Sequence, residues 1–173
     1  MNQFILIING PICSGKTTVI DSIMSNYKKV FRLSANKIKF LISDYNPARD
    51  RTAVHECLVI IAEKMLESGM SLVLEGGSMA QGDLNESLER VAQKHVMKIT
   101  TVNIEAPLEV LEKRFNERVK TSLARGKKIS VTDRDGFMER YNVYLAIKSK
   151  SEKTFDSSVL NGEEIAKQIM ELV

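Results

Sequence analysis

The stretch Phe4-Ile5-Leu6-Ile7-Ile8 runs into Gly10-Pro11-Ile12-Cys13-Ser14-Gly15-Lys16-Thr17, and the fold is decided at that junction. Five apolar residues in a row read as a strand buried on both faces. Val19, Ile20, Ile23 and Met24 then recur at helical spacing just after the loop. Strand and helix thus frame the spacing G-x-x-x-x-G-K-T, the phosphate-binding P-loop. The glycines let the backbone curl so that successive N–H groups converge on phosphate oxygens, and the helix N-terminus adds partial positive charge behind them. Lys16 brings a mobile ammonium to the β- and γ-phosphates, and the Thr17 hydroxyl can hold Mg²⁺. The candidate nucleotide-binding residues are therefore Gly10, Pro11, Ile12, Cys13, Ser14, Gly15, Lys16, Thr17 and Thr18. The motif implies a nucleoside triphosphate as ligand.

Outward from the loop, strand and helix patterns alternate to the end of the chain. Strands are expected near residues 4–8, 30–33, 71–75, 97–104 and 154–160. Helices are expected over 17–27, 37–42, 52–67, 83–94, 107–124, 133–150 and 163–172, with an exposed turn at 44–51 around Asn46-Pro47. Five short apolar strands interleaved with helices predict an α/β, three-layer P-loop fold with a five-stranded parallel sheet. Ligands in such sheets bind beyond the carboxyl ends of the strands. That rule brings residues 10–17, 34–36, 75–77 and 105–106 to one edge of the molecule.

At 173 residues the chain is expected to form a single domain, residues 1–173, able to bury about 70% of its unfolded surface. With 25 basic and 22 acidic residues the net charge is +3, which makes no case for nucleic acid as a general partner. No apolar stretch reaches the length of a membrane span, and no obligate protein partner is evident. Cys13 and Cys57 give no disulfide framework, so the cytoplasm is the expected compartment. Cys13 reads as a small residue at a variable loop position rather than a redox group. His55 and His95 lack paired ligand spacing, and no zinc signature exists.

Among P-loop classes, a GTPase needs Asn-Lys-x-Asp late in the chain, whereas Asn36-Lys37-Ile38-Lys39 has only half of it and follows the second strand. A remodelling ATPase ends its third strand in Asp-Glu, whereas this one ends Leu74-Glu75-Gly76. A small-substrate kinase needs an arginine-bearing lid, because transferred phosphoryl charge must be neutralised and water excluded. Arg114 and Arg118 share one helix face, Arg125, Lys127 and Lys128 follow in a polar loop, and Arg134 and Arg140 return on the next helix. The lid is placed at about residues 118–133.

Those residues resemble the small P-loop kinases of the adenylate-kinase-like group. The resemblance is nearest to the AAA-domain-type small kinases related to zeta toxin, chloramphenicol phosphotransferase and polynucleotide kinase domains. It rests on the P-loop, on Leu74-Glu75-Gly76-Gly77, and on Glu105-Ala106-Pro107 followed by Glu109, Arg114 and Arg118. Phe155-Asp156 and Gly162-Glu163-Glu164 extend it to the end of the chain. The resemblance implies a kinase with ATP as donor, Mg²⁺ as cofactor, a small-molecule or nucleotide acceptor, and Arg114 and Arg118 as lid residues. Lys16, Arg118 and Glu75 are the catalytic candidates.

One position departs from that pattern. Relatives that phosphorylate a hydroxyl carry an Asp after the second strand to accept its proton, and this chain has Asn36, with Lys39 where an Arg stands. Three explanations stand. The acceptor is an anionic phosphate that needs no base, a direction favoured by Lys37 and Lys39; or Asp44 or Glu75 serves a hydroxyl acceptor; or the chain binds ATP without efficient transfer, as a regulatory module or slow ATPase. Asn36 also reads as a plain helix cap. The acceptor-side candidates are Asn36, Lys39, Asp44, Glu75 and Arg140.

Overall fold

The computed structural model describes residues 3–76, 83–126, 129, 131–148 and 151–173. Gly77, Lys127, Lys128 and part of the expected lid lie outside the described residues. The strands are β1 (Ile5–Asn9), β2 (Val30–Leu33), β3 (Ser71–Glu75), β4 (Ile99–Glu105) and β5 (Lys153–Asp156). Among them run helices α1 (Lys16–Asn26), α2 (Ala35–Lys39), α3 (Pro47–Glu67), α4 (Asp83–Lys94), α5 (Leu108–Ala124), α6 (Arg134–Ile147) and α7 (Gly162–Met170). The sheet order is β2-β3-β1-β4-β5 and every pair is parallel. The expected α/β class and five-stranded parallel sheet are what the chain forms.

The apolar run of β1 is continuous because both faces are covered. Leu6 and Ile8 point into a core completed by Val19, Ile20 and Ile23 of α1 and Ile165 and Ile169 of α7. Ile5 and Ile7 point the other way, onto Val54, Leu58, Ala62 and Leu66 of α3 and Leu84 and Leu88 of α4. Full burial of each such side chain contributes roughly 1.5–3 kcal/mol. A third cluster joins Leu111 and Phe115 of α5 to Phe137 of α6, and Ile12 and Cys13 of the P-loop pack on it. The loop is thereby wedged between the sheet and the α5–α6 pair.

Register sets the site. Ile8 lies beside Glu75 on one side and Val102 on the other, so β1 and β3 end nearly together where the P-loop begins and β4 runs on past them to Glu105.

Several boundaries differ from expectation. α3 starts at Pro47 rather than at residue 52: the Asn46 side chain accepts from Ala48 N–H at 2.9 Å, and Pro47 occupies the first turn. The pair that read as a turn is the helix cap. Ser34, not Asn36, stands at the cap of α2, and Asn36 is inside the helix. β5 stops at Asp156, where the Asp156 side chain takes the N–H and hydroxyl of Ser158 and turns the chain. Among the described residues no helix is long and apolar enough to cross a membrane.

Candidate active site

The P-loop curls because two glycines allow it. Gly10 has φ 154°, and a Cβ there would stand 2.1 Å from the Ile104 carbonyl oxygen and 2.6 Å from Ser14 Oγ. Gly15, at φ 91°, caps α1 without a side-chain hydrogen bond, and no acidic residue lies in the first turn of that helix. The positive end of α1 is therefore left for an external anion. Cys13 between them adopts φ 63°, a left-handed conformation that a non-glycine residue holds only when its surroundings fix it.

Lys16 folds back over the loop. Its Nζ donates to the carbonyl oxygens of Gly10 at 2.8 Å and Pro11 at 2.6 Å. Burial pushes its pKa down to about 8, with Glu75 opposing that fall and Arg118 adding to it. The ammonium is thus held on weak carbonyl partners that a phosphate would outcompete.

A chain of polar contacts leads from the loop across the sheet edge. Thr17 Oγ1 donates to Glu75 Oε1 at 2.9 Å. Glu75 Oε2 accepts from Arg32 Nη2 at 2.6 Å and from Ser34 Oγ at 3.4 Å. Arg32 Nη1 reaches Asp21 at 2.9 Å. Burial works to raise the Glu75 carboxyl, but Arg32, Thr17 and Lys16 together outweigh it and hold the group below the ordinary carboxylate range. Glu75 is ionised at neutral pH and already engaged. Arg32 was missed in the sequence; the signal was a cation inside the short strand of residues 30–33.

Two arginines come from α5, one turn apart. Arg114 donates to Ser157 Oγ at 2.8 Å and to the Ser157 carbonyl oxygen at 2.7 Å, pinning the β5–α7 loop. A Cβ on Gly15 would be 3.9 Å from Ser157 Cβ, so that loop flanks the P-loop. Arg118 lines the same space.

These groups open on a cavity of about 1080 Å³. Its near wall carries Gly10, Pro11, Ile12, Cys13, Gly15, Lys16, Thr17, Thr18, Glu75, Arg114 and Arg118. The far wall is the part of its lining contributed by α2, by the start of α3 with Tyr45 just before it, and by α6: Asn36, Lys39, Tyr45, Arg51, Arg140 and Tyr144. Ser14 is buried beneath the loop. Asp44 stands outside, with an exposed carboxylate 3.9 Å from Arg49. Arg51 and Tyr144 were missed: the first was assigned to an exposed turn, and the second donates to Glu105, which Lys148 also reaches at 2.6 Å. Among the described residues no group of three His, Cys, Asp or Glu side chains could hold a metal. The hard oxygens of Thr17 and Glu75 do suit Mg²⁺, a cation that takes few protein ligands beside substrate phosphates.

Residues 5–136 match the family described as AAA domain. No curated protein matches the chain in sequence. Among solved structures, a candidate kinase from Chloroflexus aurantiacus superposes with a TM-score of 0.70 at 17% identity, covering 100% of both chains. The APS kinase of Mycobacterium tuberculosis, solved with AMPPNP and APS, gives 0.64 at 13% identity over 99% of this chain and 98% of its own. The shikimate kinase of Acinetobacter baumannii, solved with shikimate, gives 0.61 at 15% over 98% and 92%. The chain has the fold of the small P-loop kinases.

Proposed function

The chain belongs to the AAA domain family, and from that premise we propose that it is an ATP-dependent phosphotransferase acting on a small molecule or nucleotide. One observation carries the reading. A single cavity of about 1080 Å³ has phosphate-binding machinery on one wall and a separate set of polar side chains on the other. That volume stands at the top of the range of about 300–1,000 Å³ for small-molecule sites, room for a donor and an acceptor together.

Each residue has a stated task. The loop N–H groups and the α1 terminus orient the phosphates. Lys16 leaves the carbonyls of Gly10 and Pro11 for the transferring group, where negative charge grows. Arg118 neutralises the same charge from α5, and Arg114 keeps the Ser157 loop against the nucleotide side. Thr17 and Glu75 would hold Mg²⁺, which when bound supplies positive charge to the phosphate oxygens. Arg32 keeps Glu75 ionised and aimed at Thr17. Residues 118–133 act as the lid that excludes water. Cys13 and Cys57 are free thiols, which suits a cytoplasmic setting.

The test is twofold. AMPPNP binding is measured by calorimetry, and γ-phosphate transfer is assayed against nucleosides, nucleotides, sugars and antibiotics. Saturable binding with transfer to an acceptor is expected. Hydrolysis without transfer to any acceptor would replace the phosphotransferase with a slow ATPase module. Absence of nucleotide binding would remove both.

A further inference from the structure

The sheet face that packs on α1 is apolar along most of its length: Leu6 and Ile8 of β1, Val30 of β2 and Val73 of β3 share one core with Val19, Ile20 and Ile23. At its carboxyl end the same face turns polar. Side chains alternate along a strand, so Arg32 follows Val30 on that face and Glu75 follows Val73. In the parallel register Arg32 lies beside Val73, so its guanidinium reaches forward along the sheet to Glu75, at 2.6 Å. Two residues one turn apart on α1 cover this end. Thr17 donates to Glu75 Oε1 at 2.9 Å, and Asp21 Oδ1 accepts from Arg32 Nη1 at 2.9 Å. Since Arg32 Nη2 donates to Glu75 Oε2, the four side chains close a ring across α1 and two neighbouring strands.

The members of the ring have different surroundings. Thr17 and Glu75 line the cavity, and Asp21 and Arg32 do not. Arg32 Nε is buried without a hydrogen-bond partner, and the guanidinium is held through Nη1 and Nη2 by the two carboxylates. The Asp21 side chain is 63% exposed, and an ion pair with so exposed a partner adds little to stability. Its consequence is directional. A guanidinium facing a single carboxylate turns to engage both oxygens with two parallel N–H bonds. Asp21 occupies Nη1 and leaves only Nη2 for Glu75, so Arg32 is confined to Oε2 and Oε1 stays with Thr17 on the cavity side.

We infer that Asp21 is a positioning residue for the Mg²⁺ that accompanies the nucleotide, acting only through Arg32 to keep Glu75 Oε1 beside Thr17. The inference rests on the phosphotransferase reading, in which Thr17 and Glu75 hold the cation, and extends it to a residue outside the cavity. Without Asp21 the Arg32 fork swings onto both Glu75 oxygens and Thr17 loses its partner. The pair of hard oxygens that suits Mg²⁺ is then broken from behind. The loop N–H groups and Lys16 are untouched by that change, so capture of nucleotide phosphates without metal does not depend on Asp21. Neither apolar core that packs on the sheet includes Asp21, so its replacement leaves the fold in place.

The experiment measures AMPPNP affinity of the whole chain by calorimetry, once with Mg²⁺ and once with EDTA. It compares the wild type with Asp21→Ala, Asp21→Glu, Arg32→Ala and the Asp21→Ala/Arg32→Ala double variant. The gain in affinity that Mg²⁺ brings should fall about fivefold or more in Asp21→Ala, while affinity in EDTA stays within about twofold. Asp21→Glu keeps a carboxylate for Nη1 and should restore most of the gain. With Arg32 already replaced, removing Asp21 should alter the gain by less than about twofold, because the route to Glu75 is gone. The melting temperature of ligand-free Asp21→Ala should move by less than about 3 °C. An undiminished Mg²⁺ gain in Asp21→Ala, an equal loss of affinity in EDTA, or a further loss from Asp21→Ala in the Arg32→Ala background would overturn the inference. Each of these leaves AMPPNP binding, and the phosphotransferase reading with it, intact. A wild-type chain that binds no AMPPNP fails at that earlier reading, and the inference falls with it.

Discussion

The two walls of the cavity are organised differently. On the P-loop side the functional side chains are held by close partners: Lys16 on two carbonyls, Thr17 on Glu75, Glu75 on Arg32, Arg114 on Ser157. On the far side Lys39, Arg51 and Arg140 come from three separate helices, α2, α3 and α6, and burial together with the Arg140 charge lowers the Lys39 pKa. The first wall is preorganised, so its ligand finds donors already aimed. The second brings positive side chains from separate elements to one space, so its ligand meets them as a set. A preorganised wall serves chemistry, where reorganisation during reaction is costly. A cation-bearing wall serves selection, because it favours anionic over neutral occupants.

If that division holds, damage to the P-loop wall should strike turnover and damage to the far wall should strike acceptor binding. The largest effect belongs to Lys16→Ala. Transfer should fall by about 10³ or more, since the ammonium meets charge that develops only in the transition state. The far-ultraviolet circular dichroism should be unchanged, because Lys16 is bound to loop carbonyls and not packed in either core. A folded Lys16→Ala protein with full activity would sink the assignment of this wall. Arg118→Ala should follow, lowering kcat by about 10²–10³ with little change in acceptor KM. A change confined to acceptor KM would move Arg118 to the other wall.

Protonation of Lys16 sharpens the same point. Burial lowers its pKa to about 8 in the free protein. Bound phosphates favour the ammonium, so above pH 8 nucleotide binding must take up a proton. The kcat/KM for ATP should therefore be level below pH 8 and fall towards tenfold per unit above it. Lys16→Arg, with a side chain charged at every accessible pH, should flatten that limb whatever its absolute activity. A wild-type profile with no decline up to pH 9.5 would mean that Lys16 is not the group limiting nucleotide capture.

Thr17 and Thr18 test how local the preorganisation is. Thr17 touches Glu75 and Thr18 does not. Thr17→Ala should raise the Mg²⁺ concentration for half-maximal activity by about tenfold, and Thr18→Ala by much less. Equal shifts would contradict a metal role carried by the Thr17–Glu75 pair.

Legibility in the sequence follows the same division. The P-loop wall was readable because its function sits in contiguous backbone: glycine spacing, a flanking apolar run and a helical period are all local signals. β2, β3 and α4 fall where hydrophobic patterning puts them, since burial on one or two faces leaves a regular trace. The far wall was half hidden. Lys39 and Arg140 could be nominated, but Arg51 could not, because Asn46-Pro47 serves equally as a turn and as a cap with proline in the first turn. What decides it is tertiary. Val54 and Leu58 lock α3 onto the sheet, and the Asn46 N–H reaches back to Asp50 at 2.8 Å. Arg32 escaped for a related reason: its meaning comes from Glu75, 43 residues away, and a strand register that no local pattern announces.

The smallest expected effect falls on Asn36, where the two walls are most easily told apart. Asn36 lies within α2 on the cavity wall, so replacing it by Asp changes charge at nearly constant volume. Were the far wall built for a hydroxyl, the new carboxylate would supply the missing base, and transfer would rise by up to the 10²–10⁴ typical of general-base catalysis. For a phosphate monoester the sign reverses. A carboxylate facing the same space partly neutralises Lys39 and repels the dianion, at about 1–4 kcal/mol for unit charges some 4 Å apart before screening. Screening by water and salt should leave a several-fold rise in acceptor KM, with kcat nearly unchanged because no proton is in transit. The same substitution should also raise the Lys39 pKa, since a nearby carboxylate favours the ammonium that burial and the Arg140 charge disfavour. Asn36→Asp assayed on one monoester and its parent alcohol therefore has opposite signs under the two readings. A gain on the alcohol would break the anionic description of the far wall, and a loss confined to the monoester KM would fix it.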